Sequence, residues 1–182
     1  IWNRGINEKM NILYITKMSP RDLEFNTPDY SKYIILKELG HSLTCLTFES
    51  DNLGKDLRYT EINGMHVIIV PRRFRSRIFN FISLIYNLMN NLPYFDLYIA
   101  RDFPGLILTY FISQKTGIKY IYDSCETWLG YYTNNSIIEK FKFTLVKILE
   151  GHFIKNTMSI ITHSPFSADY LKEQYKLKND PV

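Results

Sequence analysis

The stretch Ile121 to Trp128, IYDSCETW, sets two carboxylates, a hydroxyl and a thiol directly behind an apolar run. Two chemistries are open to it. Asp123 and Glu126 can hydrogen-bond a hydroxyl or take its proton, since a carboxylate is an acceptor. Cys125 can act as a nucleophile only with a base in hydrogen-bond reach and a third group to orient that base. His163, at the end of a later apolar run, is placed to be that base, whereas His41, His66 and His152 read as surface or structural residues. Nothing else in the chain supports a hydrolase. The plainer alternative is a polar turn in which Asp123 caps the following segment while Ser124 and Cys125 fill space.

Such a loop matters only if a scaffold presents it. Asn11 to Thr16 is a nearly continuous apolar run, as in a strand buried on both faces. A helix follows from Pro28 to Leu39 and stops at Gly40. Strands are expected at Ser42–Phe48, at His66–Val70 after a hairpin-type turn Ile62-Asn-Gly-Met65, at Leu97–Ala100, at Ile118–Tyr122 and at Met158–Thr162. Pro71 should end the strand His66–Val70. Helices fall between them at Ser76–Asn91, Pro104–Lys115, Ile137–Lys155 and Pro165–Tyr175. Strands alternating with helices predict an α/β fold, a Rossmann-like, doubly wound parallel sheet flanked by helices. Ligands of such sheets bind at the carboxyl ends of the strands. Lys17–Thr27, Arg101-Asp102, Asp123–Trp128 and His163-Ser164 all fall on that edge.

Absent motifs exclude several functions. No Gly-x-Gly-x-x-Gly and no Gly-Lys-Ser/Thr occurs, which argues against a dinucleotide oxidoreductase or a P-loop nucleotidase. No Asp-x-Asp pair and no His/Cys cluster is visible along the chain, so no metal site and no cofactor are expected. The 182 residues suffice for one domain with a substantial core, and 46% apolar content argues against disorder. Two cysteines make no disulfide framework, and no run nears the ~20 apolar residues of a membrane span. A cytoplasmic protein is expected. Residues 1–9 read as leader or linker and residues 10–182 as the domain.

The order of features resembles the N-terminal half of the family 4 glycosyltransferases, whose GT-B fold sets two Rossmann-like domains across a cleft. The resembling pieces are Asn11–Thr16, Leu39–Thr44, Phe95–Asp102, Thr116–Glu126 and Glu150–Tyr175 with Ser159-Ile-Ile-Thr-His-Ser164. The resemblance implies an enzyme that transfers a sugar from a nucleotide-sugar donor, as substrate, to a glycan or lipid-linked acceptor, with retention of configuration. It also implies that the donor is held mainly by a C-terminal donor-binding domain that these residues do not include, so the isolated domain should be inactive. The competing expectation is a non-catalytic Rossmann-like module that binds carbohydrate or protein. Two departures stand out. The loop after the first strand lacks the family's Gly-Gly pair, leaving Lys17 and Arg21 as charged substitutes toward the donor phosphates. Where members of this type read Asp-Ala-His-Glu, this chain reads Asp123-Ser-Cys-Glu126, so a thiol stands in place of an imidazole. A thiol with an ordinary pKa is mostly protonated near neutral pH and is the poorer base. The resemblance thus implies Asp123 and Glu126 as catalytic groups, with Lys17, Arg21, Arg101, Asp102, Cys125, His163 and Ser164 around acceptor and donor.

A second feature is basic. Arg72, Arg73, Arg75 and Arg77 precede a helix, and no acid follows before Asp96. That helix places Ile78, Phe81, Ile82, Ile85, Leu88, Met89 and Leu92 on one face. Arginines at a helix N-terminus oppose the macrodipole by about 0.3–1 kcal/mol each, and an anionic surface would compensate. Peripheral docking on the inner face of an anionic membrane is one expectation, with each basic residue contributing on the order of 1 kcal/mol. A sheet-covering helix behind a solvated loop is the other. Nucleic acid is not expected as a partner, because the patch is short and no second basic stripe flanks it.

Overall fold

The computed structural model describes residues 8–16, 23, 28–53, 57–72, 77–125, 136–177 and 180–182, with backbone alone for 28–29, 49–53, 72 and 77–81. In chain order the elements are β1 (Asn11–Ile15), α1 (Pro28–Glu38), β2 (Ser42–Leu53), β3 (Arg58–Ile62), β4 (Met65–Arg72) and α2 (Arg77–Asn91). They continue as β5 (Leu97–Arg101), α3 (Asp102–Thr116), β6 (Tyr120–Ser124), α4 (Ile137–Ile154), β7 (Ser159–Thr162) and α5 (Pro165–Tyr175). The strands form a seven-stranded sheet in the order β3-β4-β2-β1-β5-β6-β7, which is the expected doubly wound α/β arrangement. The chain divides into two compact units, Ile1–Tyr98 and Ile99–Val182.

In the first unit, β1 pairs in parallel with β2, and β2 in parallel with β4. Ile12, Leu13, Tyr14 and Ile15 are all buried, so an unbroken apolar run does mark a strand covered on both faces. β3 is the one antiparallel strand described, joined to β4 by a hairpin. Its turn residues Asn63 and Gly64 have φ of 51° and 79°, the left-handed pair that a tight hairpin needs. The expectation that Pro71 ends β4 is corrected: the strand runs on to Arg72, which pairs with Leu53. The proline is tolerated because β3 stops pairing at Ile69, so no ladder bond is lost on that edge. On the apolar face predicted for α2, burial varies from residue to residue. Leu88 is fully buried, but Ile82 is 59% exposed.

In the second unit, β6 pairs in parallel with β7, with Asp123 opposite Ile161 and Ser124 opposite Thr162. This shifts the strand from the expected Ile118–Tyr122 and corrects the reading of Asp123 and Ser124 as loop residues. Both are strand residues and both are buried. Likewise α3 starts at Asp102, ahead of the expected Pro104, so β5 passes directly into a helix. Gly117, at φ 72°, closes α3 by donating its N–H to the Ser113 carbonyl. Beyond α5 the backbone of Val182 lies along β7, donating to the Ile160 carbonyl and accepting from the Thr162 N–H at 2.8 Å each.

Candidate functional site

Three consecutive strand ends of the second unit carry the chemistry. At the end of β6, Asp123 is 1% exposed, and its Oδ1 lies 3.0 Å from Nε2 of His163, the first residue after β7. The parallel register of β6 and β7 brings these two side chains together across 40 residues of sequence. Cys125 folds back over the same carboxylate, its N–H donating to the Asp123 carbonyl at 3.2 Å and its Sγ lying 3.7 Å from Asp123 Oδ1. The candidate ligand atoms of Asp123, Cys125 and His163 all lie within 4.8 Å of one another. An imidazole at the end of the neighbouring strand therefore lies against the acid at the end of β6. It bonds to the acid, and Asp123 is its orienting partner.

His163 is the exposed member, with 40% of its side chain open to solvent against 2% for Asp123. An open hollow of about 460 Å³ lies beside it, lined among others by Ser164, Ala168, Asp169 and Lys172. Lys172 is ion-paired with Asp180 on the hollow's rim. Ser164 caps α5, accepting from the Ser167 N–H at 3.1 Å, so its hydroxyl holds the helix start beside the histidine.

At the end of β5, Arg101 Nε stands 3.9 Å from Asp102 Oδ2. Asp102 is buried at the first turn of α3 and has φ 60°, a left-handed conformation that costs a non-glycine residue about 1–2 kcal/mol. Its carboxylate gains from the positive end of the helix. Strained backbone at a strand-to-helix junction of this edge marks the position as one held by the fold. Lys17, Arg21, Glu126, Arg73 and Arg75 lie outside the described residues. Arg72 ends β4 and Arg77 opens α2, with only their backbones described.

Two of the other three histidines have structural surroundings, in keeping with the surface or structural role expected of all three. His41 Nδ1 accepts from the Met10 N–H at 3.3 Å, and His152 Nε2 meets the Tyr110 hydroxyl at 3.2 Å.

A second acidic cluster was not anticipated. Glu150 of α4 is 2% exposed and accepts from Tyr122 of β6 at 2.9 Å and from Tyr175 of α5 at 2.6 Å, one phenol to each oxygen. Burial raises the pKa of Glu150, and burial followed by the nearby carboxylate raises those of Tyr122 and Tyr175. Gly151 makes the close approach possible, since a Cβ there would lie 2.8 Å from the Tyr175 ring. The sequence does carry a signal for this cluster. Phe143, Val146, Glu150 and Phe153 recur at helical spacing, and an acid within an apolar stripe must be partnered if buried.

No protein-family model and no curated protein matches the chain. Solved structures do. Sucrose-phosphate synthase from Thermosynechococcus elongatus aligns over 91% of this chain with a TM-score of 0.64 at 12% identity. The trehalose-6-phosphate structure from E. coli bound with UDP-2-fluoro glucose aligns over 86% with a TM-score of 0.51 at 6% identity. The fold is that of GT-B glycosyltransferases. The chain spans 45% and 40% of the lengths of those two proteins.

Proposed function

We propose that this chain is the acceptor-side Rossmann-like domain of a retaining glycosyltransferase, which passes a sugar from a nucleotide-sugar to a hydroxyl of a glycan or lipid-linked acceptor. The observation that carries this reading is the Asp123–His163 pair at the strand ends of a glycosyltransferase fold. If Nε2–H is directed at the buried carboxylate, Nδ1 is left as the acceptor of the imidazole. The exposed ring then takes the proton of an acceptor hydroxyl seated in the hollow, and Asp123 stabilises the imidazolium that forms. Glu126 and Arg101 are the further groups assigned to the acceptor, with Lys17 and Arg21 toward the donor phosphates. A second, donor-binding domain completes the cleft, and the nucleotide-sugar enters as substrate.

The test uses a protein that joins this chain to a donor-binding domain. His163→Ala and Asp123→Asn should each lower kcat by about 10²–10⁴-fold, the usual worth of a positioned acid–base group. Unchanged kcat in both variants would overturn the assignment. The 182 residues alone should transfer no sugar, and measurable transfer by them would overturn the division of labour.

We further propose that the enzyme works at an anionic membrane surface, through the arginines Arg72, Arg73, Arg75 and Arg77. A second surface supports this reading. α4 buries one side and leaves Ile137, Ile138, Phe141, Leu145 and Ile148 exposed on the other, Ile137 at 87% and Phe141 at 69%. Exposed Lys140, Lys142 and Lys147 border that stripe, the pattern of a helix lying in an interface. Among the described residues no helix is long and apolar enough to cross a membrane. Vesicles with anionic headgroups should retain the protein in co-sedimentation while neutral vesicles do not. Equal retention of the wild type and an Arg72/Arg73/Arg75/Arg77→Ser variant would sink the arginine assignment.

A further inference from the structure

The tertiary structure assembles something the linear spacing hides: a carboxylate, a thiol and an imidazole at one strand edge. We infer that Asp123, Cys125 and His163 bind one thiophilic divalent ion of the zinc class. Tetrahedral zinc with Zn–S near 2.3 Å and Zn–N or Zn–O near 2.0 Å sets ligand atoms about 3.3–3.6 Å apart. Asp123 Oδ1 is 3.0 Å from His163 Nε2 and 3.7 Å from Cys125 Sγ, so both edges that share the carboxylate already have the required length within a few tenths of an ångström. The third edge, from sulfur to imidazole, is no longer than 4.8 Å. It closes by turning two side chains that have room to turn, since Cys125 is only partly buried and His163 is 40% exposed.

The donor set is chemically selective. Sulfur, nitrogen and one carboxylate oxygen favour zinc, cobalt or copper over magnesium or calcium, which take oxygen ligands. Asp123 supplies the fixed point because it is held in a paired strand, and a buried carboxylate next to a dication is relieved of part of its desolvation cost. Three protein ligands leave the fourth position of a tetrahedral ion for water or a hydroxyl. The inference stands on geometry and does not depend on sugar transfer. If both hold, an ion at Nε2 lowers the basicity of the ring and makes zinc an inhibitor of the transfer step.

Cobalt titration of the reduced chain tests this directly. One Co²⁺ per chain should bind with a thiolate-to-cobalt charge-transfer band that Zn²⁺ abolishes by displacement. Cys45 is buried with its thiol pushed up to about 12, so such a band reports Cys125. Cys125→Ser should remove the band, and His163→Gln should weaken binding by at least about tenfold, with both variants checked for a native circular dichroism spectrum. Affinity should fall on acidification as protons compete for the ligands. Absence of the band in the wild type, or equal affinity in His163→Gln, overturns the proposal. Should His163→Gln fail to fold, survival of the band when the wild-type imidazole is carbethoxylated with diethylpyrocarbonate overturns it, and its loss supports it.

Discussion

Two acids of the second unit are positioned by adjacent residues of one strand and meet opposite fates. Tyr122 and Asp123 follow each other in β6, so their side chains leave the sheet on opposite faces. Tyr122 reaches Glu150, where each carboxylate oxygen already has a phenol and burial closes off water. Asp123 instead meets His163, whose ring faces solvent beside an open hollow. Both acids are buried almost equally. The difference lies in the partner: a buried phenol ends the network, while an exposed imidazole connects it to whatever binds outside. Burial of an acid is therefore a poor guide to function until the exposure of its partner is known.

That contrast can be broken in order of expected effect. The largest is catalytic: Asp123→Asn should cost about 10²–10⁴-fold in kcat, and Glu150→Gln should leave kcat unchanged. Equal losses in both would erase the distinction between the clusters. Next is packing. Gly151→Ala gains helix propensity, but its Cβ meets a Tyr175 ring that Glu150 anchors, so urea unfolding should show a net loss of about 1–3 kcal/mol. A neutral or stabilised variant would mean that the cluster is looser than its geometry.

A smaller effect concerns pH. Burial holds the Glu150 carboxyl above its ordinary 4.5, so the folded chain keeps a proton that the unfolded chain releases. Its contribution to stability is fully present below about 4.5 and is lost as pH rises through the raised value. Glu150→Gln should flatten that decline in a series of unfolding curves, and an unaltered pH profile would remove Glu150 as its source. The smallest effect tests the frame that carries the cluster. Ser136 caps α4 by accepting from the Glu139 N–H at 3.1 Å, and Ser136→Ala should cost about 1 kcal/mol with no change in metal binding or transfer.

Much of the scaffold was legible because its signals are local. The apolar run of β1, the Asn63-Gly64 turn and the Gly117 stop each depend on neighbours a few residues away, and the alternation of strands and helices follows from them. Element ends were read less well, and for physical reasons. Asp123 and Ser124 look like loop residues by polarity, but pairing with Ile161 and Thr162 extends the strand through them. Asp102 looks like a loop residue too, yet its burial and left-handed backbone set it inside the turn that opens α3.

The sequence by itself determined the α/β order, the edge on which the loops gather and the residue types available there. It also set a cysteine, Cys125, between Asp123 and Glu126. Only the tertiary structure decided which of those residues meet. The strand register of β6 on β7 sets His163 against Asp123, and a distance across 40 residues has no periodicity to betray it. The same holds for Glu150, whose two phenols come from a strand and a helix on either side of it in the chain. Secondary structure is encoded by neighbours along the chain, while a site is assembled from residues that the chain keeps far apart.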